Sequence, residues 1–377
     1  MRQLFLFTII SVSWLSLSWN AASVLSFAPV STFTTRTRHS FIVNQQDKSS
    51  STTTSLFAIG ILKRKAKEAS LKEYIQNGVE DHVMEKYQRL KEQNLETIDL
   101  RAHRRDAPKG PLQEQLHRRK GTLTVIAEFK RKNAAIGMIP DLFAPELLSP
   151  TFREFGASGI AVLADEKIGG CTYDDLAQFV EEQRRARSEV PGPVTVINND
   201  LIIDELQVAR TAAYGAGACV VTLGVVGPEQ CELLLRAAVA LDLEAIVAVS
   251  SAEEAQTAID LGARMINVVG VEGVDDKVAI VEGLNIPEGE IVTVIASILV
   301  KKDKNVQEIE EAWALRDKGF NCAWVGDVLY KAGTDSTETP GSIIKSMKSK
   351  SSLKWASPKV YTGRGEGARE YLGDILM

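Results

Sequence analysis

From residue 122 onward the chain alternates between two hydrophobic rhythms. Short apolar runs occur at Leu123–Glu128, Gly159–Leu163, Val194–Ile197, Ala218–Leu223, Glu244–Val249, Met265–Val269, Val292–Ala296 and Ala323–Val325. Amphipathic stretches with helical spacing lie between them: Tyr173–Arg187, Asp204–Tyr214, Pro228–Leu241, Ala252–Leu261 and Asn305–Lys318. A continuous apolar run bounded by turn residues suits a strand buried on both faces, and recurrence at three to four residues suits a helix with one buried face. Gly156, Gly215, Gly262 and Gly319 each stand just before the next run, where a glycine past the last helical turn ends a helix. Pro140 and Pro145 are expected to punctuate the loop toward the first of these helices. Eight strand–helix repeats predict a parallel (β/α)8 TIM barrel over residues 121–346. A doubly wound open sheet is the alternative. No GxGxxG follows a strand and opens a helix, which counts against a dinucleotide fold.

Residues 60–120 read differently. Leu62, Leu71, Tyr74, Val79, Val83, Tyr87 and Leu90 recur at helical spacing among charges, which predicts an N-terminal helical extension. The start of the chain has targeting character. Arg2, an apolar, serine-interrupted run from Leu4 to Trp19 and the small residues around Ser26 predict a signal peptide over 1–26. The run is too short for a membrane anchor, which needs roughly 20 apolar residues. Residues 27–58 are rich in Ser and Thr, carry Arg36 and Arg38, and hold no acidic residue before Asp47, the composition of a transit peptide. The joint at Ser26, Phe27, Ala28 and Pro29 resembles the bipartite presequences of algae with secondary plastids, so the mature protein is expected in the plastid stroma. Residues 347–377 form a Lys/Ser-rich tail. Its glycines at 363, 365 and 367 read as an anion nest or, preferably, as part of a short segment that docks on a stromal protein partner.

Composition removes several classes. A net charge of −5 argues against nucleic acid as a partner, and no membrane span is expected in the mature part. Cys171, Cys219, Cys231 and Cys322 form no CxxC pair, so neither a disulfide framework nor a zinc site is expected. His39, His82, His103 and His117 all precede the barrel, so no histidine reaches a strand end.

The candidate chemistry sits where the apolar runs stop. In a barrel of this kind the C-terminal strand ends build the site. The first run ends in Glu128, Lys130 and Lys132, and the second in Asp165, Glu166 and Lys167. The third ends in Asn198, Asn199 and Asp200, the seventh in Ser297 and the eighth in Gly326. Glu128 and Lys130 read either as ligand groups or as an ion pair closing the mouth. Asp165 to Lys167 read as a solvated loop with one structural salt bridge. Asn199 reads as a polar ligand group or as the cap of the next helix. Ser297, Gly326 and the short helix opening at Pro340, Gly341 and Ser342 are candidates for a phosphate nest.

Ile126 to Lys132, Val162 to Lys167 and Asn199 to Asp204, in that order and with the charged helical lead-in, resemble indole-3-glycerol phosphate synthase over roughly residues 60–345. The resemblance implies a carbon–carbon lyase of tryptophan biosynthesis that closes an indole ring with loss of carbon dioxide and water. It implies a phosphorylated sugar derivative as substrate and no cofactor or metal. Glu128 and Lys130 match the family's acidic group and its carboxylate-binding cation, with Lys132 beside them. Elsewhere the pattern is broken. Asn199 stands where the family has its lysine general acid, Ala248 where it has a glutamate, Ile298 where it has a glycine, and Gly169 where an aromatic is expected. An amide does not release a proton near neutral pH. The expectation is a divergent member with weak or lost synthase activity, retained for binding or scaffolding, with Glu128, Lys130 and Asn199 at the catalytic positions and Lys132, Ser297, Gly326 and Gly341 as substrate-binding groups. The alternative is an active synthase with rewired acid–base groups.

Overall fold

The computed structural model describes residues 47–133, 137–138, 144–301, 306–330 and 339–349, with side chains from residue 60 onward except at 133 and 137. The expected signal peptide, most of the transit peptide and nearly all of the tail lie outside the described residues. The barrel and its helices belong to one compact unit, Ser49–Met377.

Eight parallel strands close on themselves in chain order. They are β1 Thr124–Phe129, β2 Gly159–Val162, β3 Thr195–Asn198 and β4 Ala218–Thr222, then β5 Glu244–Val249, β6 Met265–Val268, β7 Thr293–Ile298 and β8 Cys322–Val325. β1 closes the ring by pairing with both β2 and β8. Every strand is buried on both faces or nearly so, which is why each reads as a short continuous apolar run.

Alternation along the strands sorts the residues into two cores. One set points inward: Ile126, Ala161, Ile197, Val220, Ile246, Met265, Ile295 and Trp324 fill the barrel, and Leu112 and Leu116 close it from below. The other set points outward onto the helices.

The helices are α1 Asp47–Asn77, α2 Asp81–Lys91, α3 Leu100–Asp106, α4 Pro111–Leu116, α5 Pro145–Glu154, α6 Tyr173–Arg185 and α7 Glu205–Ala213. They continue with α8 Leu223–Val226, α9 Pro228–Ala240, α10 Ala252–Asp260, α11 Val274–Val281, α12 Val306–Asp317 and α13 Pro340–Lys348. α4 plugs the bottom. Its first amides, Leu112 and Gln113, donate to the Glu244 carboxylate at 2.6 and 2.9 Å, an acid placed on a helix N-terminus.

Two elements depart from the sequence expectation. Pro145 opens α5 rather than breaking a loop, because a proline at the first helical position gives up an N–H that has no partner there. α11 was not expected; it is a short helix bracketed by Gly273 and Gly283, both at positive φ, which masks its periodicity. Gly262 shows what a stop glycine does here. It sits at φ +95°, and a Cβ would lie 2.7 Å from the backbone carbon of Leu100 in α3.

Candidate functional site

The barrel closes between β1 and β8, and that seam brings the mouth residues together. Ile126 points inward, so Glu128 follows it into the barrel, and Lys130 stands just past the strand end. Both are buried. Trp324 Nε1 on β8 donates to Glu128 Oε2 at 2.6 Å. Lys130 Nζ lies 3.4 Å from Glu128 Oε1 and 2.6 Å from Asp327 Oδ1. Asp327 begins the short 3-10 turn Asp327–Tyr330, and the Tyr330 hydroxyl donates to the backbone oxygen of Glu128 at 2.9 Å. Gly326 leaves room for the carboxylate: a Cβ there would approach Glu128 Oε2 to 3.0 Å.

These contacts set the protonation of Lys130. Burial pulls its pKa down, but the charges of Glu128 and Asp327 outweigh that, and the ammonium sits above the ordinary lysine value. A lysine acting as a substitute acid needs the opposite shift.

Ala248, Asn267, Ser297 and Asn199 bring only neutral groups to the mouth. Ala248 faces the interior of β5 beside Asn267 on β6. Asn267 Oδ1 accepts a 3.2 Å hydrogen bond from Ser297 Oγ on β7. Asn199, two residues beyond inward-facing Ile197, is half-buried, and no hydrogen bond holds its side chain among the described residues. It does not cap the next helix. Asp204 does, accepting from the Leu206 amide at 2.8 Å, because only Asp204 stands at the first turn of α7.

The remaining expected site residues Lys132 and Gly341 are held by local contacts. Lys132 Nζ donates to the Lys167 carbonyl at 2.9 Å, and its backbone amide donates to Gly169. Lys132 therefore fastens the short antiparallel pair Lys132–Asn133 and Gly137–Met138 to the loop after β2. Gly341 is buried in the first turn of α13, where a Cβ would meet the Phe155 ring at 2.6 Å. Close packing accounts for the glycine, and Thr339 Oγ1 caps that helix through the Ser342 amide at 3.2 Å. Gly169 has a similar cause: a Cβ would come within 2.4 Å of the Leu163 carbonyl oxygen, so no aromatic fits.

The loop after β2 is solvated only in part. Glu166 and Lys167 are exposed, but Asp165 is buried, accepting from the amides of Lys167 and Ile168 at 2.9 and 2.8 Å. Its charge partner comes from the N-terminal helix. Lys67 Nζ on α1 lies 2.8 Å from Asp165 Oδ2 and also pairs with Asp200 Oδ1 at the end of β3. Asp200 further accepts from the Tyr173 hydroxyl at 3.1 Å and from Gln207 Nε2 at 3.2 Å. Burial opposes ionisation of both carboxyls. At Asp165 the lysine and the two amides overcome it, and the group sits below the ordinary carboxylate value. At Asp200 burial prevails, and the group sits above it. Next to this cluster, a cavity of about 410 Å3 is lined by Lys67, Tyr74, Asp165, Lys167, Tyr173 and Arg210 among others.

Sequence reasoning missed Asp327, Trp324 and Lys67 as mouth residues. Asp327 directly follows Gly326 and was within reach of a strand-end reading. Nothing local marks Lys67. Among the described residues no group of three or more His, Cys, Asp or Glu side chains is placed to hold a metal ion.

Comparison with known proteins places this geometry in context. The model of the family described as indole-3-glycerol phosphate synthase matches residues 73–336. The indole-3-glycerol phosphate synthase of Leptospira interrogans is 32% identical over 147 residues, 39% of this chain and 55% of that protein. Indole-3-glycerol phosphate synthase 2 of Streptomyces coelicolor is 28% identical over 219 residues, 58% of this chain and 80% of that protein. The synthase of Geobacillus thermodenitrificans is 25% identical over 250 residues, 66% of this chain and 92% of that protein. The chain spans about half the length of several of the relatives it matches.

Proposed function

The chain belongs to the indole-3-glycerol phosphate synthase family, and from that premise we propose that it is a member whose barrel mouth keeps the family's strand 1 pair but has little or no synthase activity. The observation that carries this reading is the state of Lys130. The resemblance assigns that lysine to the substrate's carboxylate, yet two carboxylates of its own chain, Glu128 and Asp327, already occupy it. An incoming carboxylate would have to displace Asp327 and leave it uncompensated.

The acid–base groups point the same way. Asn199 offers an amide where a proton donor is needed, and Ala248 offers a methyl group where a carboxylate is needed. Each general acid or base is worth roughly 10² to 10⁴ in rate, and groups acting as a unit are not additive, so a loss of at least ~10⁴ is the appropriate expectation. Lys130 does not replace them, since its proton is held more tightly than usual.

The test is complementation. Residues 60–377, produced as folded protein in a tryptophan auxotroph lacking this step, should fail to restore growth. Growth that depends on Lys130, being abolished by Lys130→Ala, would establish instead an active synthase with rewired acid–base groups. The same reading assigns the protein to the plastid stroma by way of residues 1–58, with the tail over 347–377 as a docking segment for a stromal protein. A fluorescent protein fused behind residues 1–60 should enter plastids; retention in the secretory pathway would overturn that assignment. Deletion of residues 358–377 should release a stromal partner in a pull-down, and an unchanged partner set would remove the tail's role.

A further inference from the structure

α1 runs unbroken from Asp47 to Asn77, whereas the family match begins at residue 73. Most of this helix is therefore additional to the family domain, and its described side chains bear on the mouth. Between residues 60 and 77 the partly buried positions are Gly60, Arg64, Lys67, Ser70, Leu71 and Tyr74. Spacings of three and four put these on one stripe of the helix. The stripe crosses the C-terminal ends of β2, β3 and β4. At one end, a Cβ on Gly60 would lie 3.5 Å from the Gly224 oxygen after β4, and an Arg64 Nη1 donates to the Val226 carbonyl at 3.3 Å. In the middle, Lys67 bridges Asp165 after β2 and Asp200 after β3. At the other end, the Arg210 guanidinium lies over the Tyr74 ring at 4.0 Å and over the Tyr173 ring at 3.9 Å.

We propose that α1 is an intramolecular lid over the β2–β4 side of the barrel mouth, latched by Lys67 on Asp165 and Asp200. The manner of attachment separates a lid from a structural helix. α4, which plugs the bottom, buries Leu112 and Leu116 completely. No residue of α1 from Gly60 to Asn77 is fully buried, and Ile61, Leu62 and Ile75 face solvent. α1 is thus held by the Lys67 bridge, a Glu73–Lys167 pair at 4.0 Å, the contacts of Tyr74 with Arg210 and Glu80 and the Arg64 hydrogen bond to a backbone oxygen, not by an apolar stripe. Elements with few buried apolar contacts open locally at far lower cost than the global fold. The closed position is nonetheless the ground state, because opening leaves two carboxylates facing each other at the strand ends without the ammonium between them. This inference does not depend on whether the mouth still performs chemistry.

The experiment combines amide exchange with thiol labelling on the full chain. All four native cysteines are buried, so Asn199→Cys introduces a thiol at the mouth that is distinguishable from them. In the otherwise native chain this thiol should label at least about tenfold more slowly than a free peptide thiol. Lys67→Met should speed both its labelling and the exchange of amides 60–77 by about tenfold or more, with the strands unchanged. Lys67→Arg should retain slow labelling. If Lys67→Met folds poorly, Lys67→Met with Asp165→Asn and Asp200→Asn removes the latch without leaving either buried carboxylate unpaired, and it should show the same acceleration. The lid is overturned if Asn199→Cys labels at the free-thiol rate while Lys67 is intact. It is equally overturned if the folded latch variants leave exchange over 60–77 and labelling as slow as in the native background.

Discussion

Asp327 places its carboxylate 2.6 Å from the ammonium of Lys130, closer than Glu128, the family partner two residues before that lysine, at 3.4 Å. The closer charge comes from the last strand–loop junction in the chain, two residues past β8, and it turns a catalytic-looking lysine into the centre of a three-charge cluster. Asp327→Asn removes one of the two negative charges while keeping the shape. The variant should bind 2-aminobenzoate, a probe for the carboxylate subsite, about tenfold more tightly than the native chain, since the cluster then carries no net charge in place of −1. Calorimetric titration of both proteins checks this; equal affinities would remove Asp327 from the account of why the mouth is closed to anions.

Restoring the missing groups provides the complementary experiment. Asn199→Lys combined with Ala248→Glu returns a proton donor just past the end of β3 and a carboxylate to an inward-facing position on β5. Synthase turnover, followed by indole fluorescence, should rise by about 10² or more over the native chain. Asn199→Lys alone should gain less, because groups that work as a unit are not additive. A double variant that folds and gains nothing would mean that the binding half of the site has been lost as well.

Trp324 bears on stability more than on chemistry. Its indole N–H is the 2.6 Å donor to a buried carboxylate oxygen. Trp324→Phe keeps most of the packing inside the barrel but leaves that oxygen without its donor. Such a loss costs about 1–3 kcal/mol, and a fall in the denaturant midpoint without a change in slope should report it. An unchanged midpoint would mean that water replaces the indole at this site.

Two histidines near the bottom of the barrel set a pH dependence. Burial, aided by the charge of Lys109, lowers the pKa of His117 from its ordinary 6.5, and burial with Arg264 does the same for His103. The unfolded chain therefore binds more protons than the folded one below that value. Stability rises with pH across this window and is lost as pH falls from about 6.5 toward the folded-state values. The melting temperature should drop by a few degrees between pH 7.5 and pH 5. The drop should be smaller in His117→Gln, whose native Nδ1 lies 3.3 Å from the Thr293 hydroxyl. Equal drops in both proteins would assign the dependence to carboxylates instead.

Much of the molecule was legible in its sequence because the signals are local. All eight strands lie within two residues of the apolar runs that announced them, since a barrel strand is buried on both faces over its whole length and then stops. Gly156, Gly215, Gly262 and Gly319 all take the positive φ expected of helix stops, a property of single residues. The inward aim of Glu128 follows from alternation along β1, and the replacements at Asn199 and Ala248 are read directly from the chain. What charge meets what charge was decided only by the tertiary structure. Lys130 meets Asp327 because the sheet closes on itself and brings the ends of β1 and β8 side by side. Lys67 meets Asp200 across 133 residues because α1 crosses the rim. An ion pair depends on distances of a few ångströms between segments whose separation along the chain says nothing about their approach, so no periodicity or motif carries it. The fold and the residue types at the mouth were therefore properties of the sequence, while the pairing of the mouth's lysines emerged from closure of the barrel at Lys130 and from the path of α1 over the rim at Lys67.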